Sequence, residues 1–260
     1  MVNVTPDFLT LPERAAKPRR RGITHVLDKG MPVGELDALL QVCGPYIDIW
    51  KLGWGTAYLD PGLRDKIVLL GQHGVLACTG GTLLEVAWQQ GVVDEFLGWA
   101  DTMRFPCVEV SCGVVGMSPT QKRSLIEQTG DRFVVLGEIG VKDPAVEVAA
   151  SAWALAAAAD LDAGATWVVT EGRESGTVGL FDPAGEVRAE VVESVVQAVG
   201  VDSAVFEAPR KDQQAWLIRR FGPDVNLGNV LPAEVLGLEA LRLGLRADTL
   251  ALSESRTSAR

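Results

Sequence analysis

The sequence predicts a closed (β/α)8 barrel, and three observations carry that prediction. Eight short apolar runs recur along the 260 residues, at 23–28, 46–51, 75–78, 107–111, 133–138, 166–171, 204–207 and 225–229. Each is followed by a turn-rich segment, and most gaps then hold a stretch of helical periodicity, the rhythm of a repeated βα unit. The runs are mostly Val, Ile and Leu, as in parallel strands covered on both faces. Most of them end on a polar residue, among them Asp28, Lys51, Ser111, Glu138, Glu171 and Glu207. In such barrels chemistry sits at the C-terminal ends of the strands. A doubly wound open sheet would usually show a Gly-rich GxGxxG turn after its first strand. Here that strand runs into Asp28-Lys29-Gly30.

The elements follow in order. Residues 1–18, rich in Pro and charge, read as an N-terminal arm, residues 19–250 as one barrel domain, and residues 251–260 as a polar, disordered tail. The first strand leads into a helix over 33–42, which Gly44-Pro45 breaks before the second strand. Gly53-Trp54-Gly55-Thr56 forms a loop, and a helix follows over 61–72. After the third strand come Gly80-Gly81 and helices over 83–90 and 93–104, then the fourth strand and a helix over 119–129. The Ala-rich stretch 144–163 has strong helix propensity and is closed by Gly164. Helices over 190–200, 211–221 and 232–243 complete the set.

Composition narrows the function classes. Hydrophobic residues are 47% of the chain, enough for a large core, and no apolar run nears the roughly 20 residues of a membrane span. Arg19, Arg20 and Arg21 are not followed by the apolar segment of a secretory signal. The net charge of −10 shows no basic stripe for nucleic acid, so an anionic substrate must meet local cations. Cys43, Cys78, Cys107 and Cys112 form no close CxxC pair, which disfavours structural zinc and fits a reducing, cytoplasmic setting. With only His25 and His73, a His-rich metal site or a Ser-His-Asp triad is disfavoured. His25 has strand parity opposite to Asp28 and is expected to face the helix layer, with His73 exposed in a turn.

Several segments closely resemble the phosphosulfolactate synthase family. They are residues 21–30 (RGITHVLDKG), 46–56 (YIDIWKLGWGT), 80–85 (GGTLLE), 171–176 (EGRESG), 206–209 (FEAP), 225–229 (VNLGN) and 244–249 (GLRADT). The likeness runs over about residues 19–250. It implies a (β/α)8 barrel that joins sulfite to C3 of phosphoenolpyruvate with magnesium (Mg2+), a lyase of sulfonate and coenzyme M biosynthesis, and a homo-oligomer. Two positions depart from the family pattern: Cys112 stands in place of an Asp, and Val141 in place of the first of two lysines. They motivate a second reading, an enol-utilising barrel with another nucleophile. Plant heat-stress-associated proteins also resemble the family, which gives a third, a non-catalytic stress-related barrel.

Adding sulfite to phosphoenolpyruvate brings two anions together and develops negative charge on the substrate carboxylate. The reaction needs a divalent cation there, cations around the phosphate, and an acid to protonate C2. Asp28, Glu109, Glu138 and Glu171 are the candidate metal carboxylates, or else bridges to barrel cations. Lys51 is the first candidate proton donor, through a lowered pKa, with a purely electrostatic role as the alternative; Lys142 is the second. Arg173, Arg210 and Lys211 suit phosphate binding or rim salt bridges, Gly228 and Asn229 could add donors, and Lys29 and Arg21 could support the same anion. Gly80-Gly81-Thr82 could present N–H groups to an anion, or Thr82 could be an N-cap with Glu85 as its capping-box partner. Trp54 is either a pocket wall or a packing residue.

Overall fold

A computed structural model describes residues 8–113, 115–141 and 148–254. Eight parallel strands close into one barrel in sequence order: β1 (Thr24–Asp28), β2 (Ile49–Leu52), β3 (Leu76–Thr79), β4 (Cys107–Val110), β5 (Val134–Ile139), β6 (Trp167–Thr170), β7 (Ala204–Glu207) and β8 (Asn226–Val230). The described helices are α1 (Val33–Cys43), α2 (Thr56–Leu59), α3 (Leu63–Gln72), α4 (Gly81–Gln90), α5 (Val93–Met103), α6 (Pro119–Gly130), α7 (Ala150–Asp162), α8 (Ala189–Val199), α9 (Lys211–Phe221), α10 (Val235–Arg242) and α11 (Ala251–Glu254). None among the described residues is long and apolar enough to cross a membrane.

Each expected run except the second matches a strand to within one residue at either end. The second starts later than expected, because Gly44–Tyr46 is a 3-10 turn and the strand begins at Ile49. Pro45 fixes its own φ and offers no N–H to a ladder. Helix α6 is opened by a capping box between Ser118 and Gln121, with Pro119 at its first position. The Ala-rich stretch forms helix α7 from Ala150, and the expected helix's first residues, 144–147, lie outside the described residues.

The interior fills in layers, as eight tilted strands require. Ile23, Ile49, Cys78, Cys107, Leu136, Val169 and Val205 form an apolar plug toward the strands' N-terminal ends. Two residues further along five strands, Lys51, Glu109, Glu138, Glu171 and Glu207 have the same parity and form a polar layer above it. The alternate residues, such as Val26, Trp50, Val108, Val168 and Phe206, pack outward against the helices. The N-terminal arm secures the opposite end. Lys17 Nζ donates to the carbonyls of Gly44, Ile47 and His73, and Arg19 pairs with Asp48 at 3.1 Å.

Candidate active site

The polar layer opens at the C-terminal mouth into a pocket of about 240 Å³. It is lined by Lys51, Glu109, Glu138, Glu171, Glu174 and Glu207, with Trp54, Arg173 and Asn229 at its edges. Lys51 Nζ, nearly fully buried, donates to Glu109 Oε2 and to Glu207 Oε1, each at 3.0 Å. The second oxygen of each glutamate is also engaged. Glu109 Oε1 accepts from Gly81 N at 2.9 Å, and Glu207 Oε2 accepts from Gly172 N at 3.0 Å. Glu171 Oε1 accepts from Arg173 N at 2.8 Å.

The electrostatics follow from this crowding. Burial by itself would depress the Lys51 ammonium, but Glu109, Glu207 and Glu138 together outweigh burial and hold its pKa well above the ordinary lysine value. Burial, then repulsion from Glu138 and Glu207, pushes Glu109 up to about 7 against the attraction of Lys51. Lys51 is therefore a fixed positive charge, and its expected lowered pKa is corrected: two carboxylates in contact outweigh desolvation.

Asn229 reaches the pocket through a break in strand alternation. Its φ is 53°, and the β1–β8 register shifts there, with Thr24 opposite Leu227 but Val26 opposite Val230. Its Oδ1 is buried without a hydrogen bond, a polar atom with capacity for a ligand. Gly228, just before it, does not line the pocket; a Cβ there would stand 3.0 Å from His25 Nδ1.

Four other expectations about this mouth are revised. His25 points into the barrel, not to the helices; it is fully buried, and both ring nitrogens lack hydrogen bonds. Burial and nearby Lys51 push its pKa well below the ordinary value, so the ring is neutral. Asp28, with the opposite parity, faces outward. Its Oδ2 accepts from Lys66 Nζ and Trp50 Nε1, both at 3.0 Å, and its Oδ1 accepts from Gly30 N and Met31 N. A carboxylate held by four protein donors behind the strands is no metal ligand in the pocket. Thr82 lines the pocket but does not cap α4, whose N-cap is Gly80. Glu85 turns instead to the loop after β4, accepting from Ser111 Oγ and from the N–H groups of Gly113 and Val115.

The remaining candidate cations lie apart from the pocket or at its rim. Arg21 precedes β1 at the opposite end of the barrel, 61% exposed and 3.6 Å from Asp224. Arg210 braces the loop after β6, its Nε donating to the Ser175 carbonyl at 2.9 Å. Lys211 pairs with Asp248 on the surface at 3.0 Å. Lys29 sits at the rim with Nζ 5.6 Å from the centre of the Trp54 ring. Lys142 lies outside the described residues. Sequence reasoning noted Glu207 as a strand end without assigning it a role. Its place two residues after the plug residue Val205, the spacing that also separates Lys51 from Ile49, was the available signal.

A parallel eight-stranded barrel with buried, paired ionisable groups at its C-terminal mouth defines a (β/α)8 enzyme acting on a small polar substrate. The chain belongs to the phosphosulfolactate synthase family, a family of lyase-type enzymes: the family model "(2R)-phospho-3-sulfolactate synthase (ComA)" matches residues 12–248. Phosphosulfolactate synthase of Methanothermobacter thermautotrophicus is 40% identical over 250 residues, covering 94% of this chain and 96% of the relative. That of Methanocaldococcus jannaschii is 41% identical over 236 residues, covering 88% and 94%. Among solved structures, a 3-hexulose-6-phosphate synthase aligns with a TM-score of 0.53 at 15% identity, covering 91% of this chain and 99% of that one, a likeness of fold alone.

Proposed function

We propose that the enzyme adds sulfite to C3 of phosphoenolpyruvate with magnesium, giving 2-phospho-3-sulfolactate. The observation that carries the proposal, beside family membership, is the charge of the pocket. Five carboxylates, Glu109, Glu138, Glu171, Glu174 and Glu207, line it with two cations, Lys51 and Arg173. An anionic substrate enters such a site only with a compensating cation.

The donor set fits magnesium. Among the described residues no three His, Cys, Asp or Glu side chains converge as a closed cage. Magnesium does not require one, because it typically uses one or two carboxylates with waters and substrate oxygens. Glu138 and Glu171, which line the pocket at the C-terminal ends of the neighbouring strands β5 and β6, are the proposed ligands. The bound ion would act as a Lewis acid toward the substrate carboxylate. Lys51, locked as an ammonium between Glu109 and Glu207, stabilises the enediolate-like charge from below without reorganising. Glu109, which titrates near neutrality, holds the proton for C2 beside Lys51 Nζ. Arg173, from the loop after β6, and Asn229, near the end of β8, bind the phosphate through their side-chain N–H groups.

The position of the two departures from the family pattern favours sulfite over another nucleophile. Cys112 and Val141 do not line this pocket; both line a separate cavity of about 440 Å³ with Lys122, Trp153 and Asp160. A cytoplasmic homo-oligomer serving sulfonate biosynthesis completes the proposal. Tyr58 and Leu59 on α2, 74% and 79% exposed, are candidate contacts between subunits, and light scattering of the purified chain tests the assembly. The reaction is tested by a phosphorus NMR time course with phosphoenolpyruvate, sulfite and magnesium. A new phosphate-ester signal that requires both sulfite and metal is expected. Persistence of the phosphoenolpyruvate signal with folded protein would refute the assignment.

A further inference from the structure

Four described residues other than glycine have a left-handed backbone: Trp54 (φ 54°), Arg104 (66°), Arg173 (52°) and Asn229 (53°). Arg104 is the C-cap of α5. The other three all line the active-site pocket, Trp54 and Arg173 from the loops after β2 and β6 and Asn229 from the end of β8. Asparagine takes this conformation easily, whereas a bulky tryptophan there is an outlier held by its surroundings.

The surroundings of Trp54 are built for it. Gly53 N donates to the Asp28 carbonyl at 2.9 Å, Thr56 Oγ1 donates to the Gly53 carbonyl at 2.8 Å, and Gly80 N donates to the Leu52 carbonyl at 2.9 Å. A Cβ at Gly80 would stand 2.8 Å from Trp54 N and 3.0 Å from the Trp54 carbonyl oxygen, so only glycine lets the two loops pass this closely. Packing does not explain the residue. The residue is 44% exposed and so lies outside the buried core. Lys29, which does not line the pocket, holds its ammonium over the ring. In a closed ring of eight strands, β2 and β6 are four apart, so Trp54 and Arg173 border opposite sides of the mouth.

We propose that Trp54 is a specificity-determining residue: its indole walls the β2 side of the pocket opposite Arg173 and excludes enol phosphates substituted at the reacting methylene carbon. The wall acts by rejecting the larger substrate more than by attracting the smaller one. A pocket of about 240 Å³ is small enough for one indole to set the limit. This inference rests on the phosphoenolpyruvate reading above.

The test uses W54G, with W54N as a second variant, because both residues accept a left-handed backbone and remove the indole without straining the loop. Binding of phosphoenolpyruvate and of its 3-methyl homologue, each with magnesium, is measured by calorimetry beside melting curves. The parent is expected to prefer phosphoenolpyruvate at least tenfold. The variants should melt no lower than the parent and lose at least tenfold of that preference. A folded variant with the parent's ratio, or unfolding of both variants, would overturn the assignment to Trp54 alone. A parent that binds neither compound would overturn the functional reading together with it.

Discussion

Two buried lysines flank the barrel wall, Lys51 on its inner face and Lys66 packed from α3 against its outer face, and of these two only Lys51 meets a pocket. On the outer face Lys66 of α3 bonds Asp28 and Asp60 at 3.0 and 2.6 Å. Asp28 is further satisfied by Trp50 and two backbone N–H groups, and the whole set lies beneath the helix layer. On the inner face Lys51 bonds Glu109 and Glu207 at the same 3.0 Å, yet these groups line a cavity together with Glu138 and Glu171. The residue types and distances are nearly alike. The difference is space: a closed ion pair can only hold the fold together, whereas one that lines a cavity also presents its fixed charge to a substrate.

The sharpest way to break this comparison is to remove each lysine. K51M and K66M should both destabilise by about 3–5 kcal/mol in urea unfolding, because each strands buried carboxylates. K51M should also lose at least about a thousandfold in turnover, a loss of about 4 kcal/mol in transition-state stabilisation. Folded K66M should keep its kcat within about twofold of the parent. Equal loss of turnover in both variants would erase the distinction between the faces.

The next effect is one of pH. Glu109 takes up a proton near pH 7 in the folded state, against an ordinary value of 4.5. The folded state therefore holds more protons than the unfolded one between those values, and stability must fall as pH rises through that window. The difference corresponds to about 3 kcal/mol at 1.36 kcal/mol per unit. E109Q should flatten that part of the pH–stability curve, and an unchanged slope would remove Glu109 as its source.

Smaller effects are expected at the rim. N229G keeps the left-handed backbone and removes the side-chain amide, whose Nδ2 is the proposed donor to the phosphate, so KM for phosphoenolpyruvate should rise about tenfold, the worth of a hydrogen bond to a charged group, with little change in melting temperature. K211A breaks only the exposed pair with Asp248 and should leave both kinetics and melting temperature essentially unchanged. A large effect of K211A on KM would return that lysine to the phosphate site.

The fold was legible in the sequence because strand hydrophobicity and turn chemistry are local signals. The ends Lys51, Glu138 and Glu171 were legible for the same reason, as polar residues closing apolar runs. Parity was the point of failure on the first strand. Asp28 closes its run as Lys51 does, but the inward set there is Ile23, His25 and Leu27, and only the distant Lys66 reveals where Asp28 points. Arg210 and Lys211 failed for another reason. Their partners Ser175 and Asp248 lie 35 and 37 residues away, and a basic residue after a strand does not announce whether it will brace a loop or meet a ligand. Asn229 was named from its motif, but the bulge that turns it into the pocket is a property of the closed ladder.

The most direct test of the inner-face account is a manganese titration followed by EPR on the parent, D28N and the double variant E138Q/E171Q, each checked by circular dichroism. The account predicts that the parent and D28N bind the ion alike, while the folded double variant loses at least about tenfold in affinity. Binding that survives in the double variant and disappears in folded D28N would contradict it.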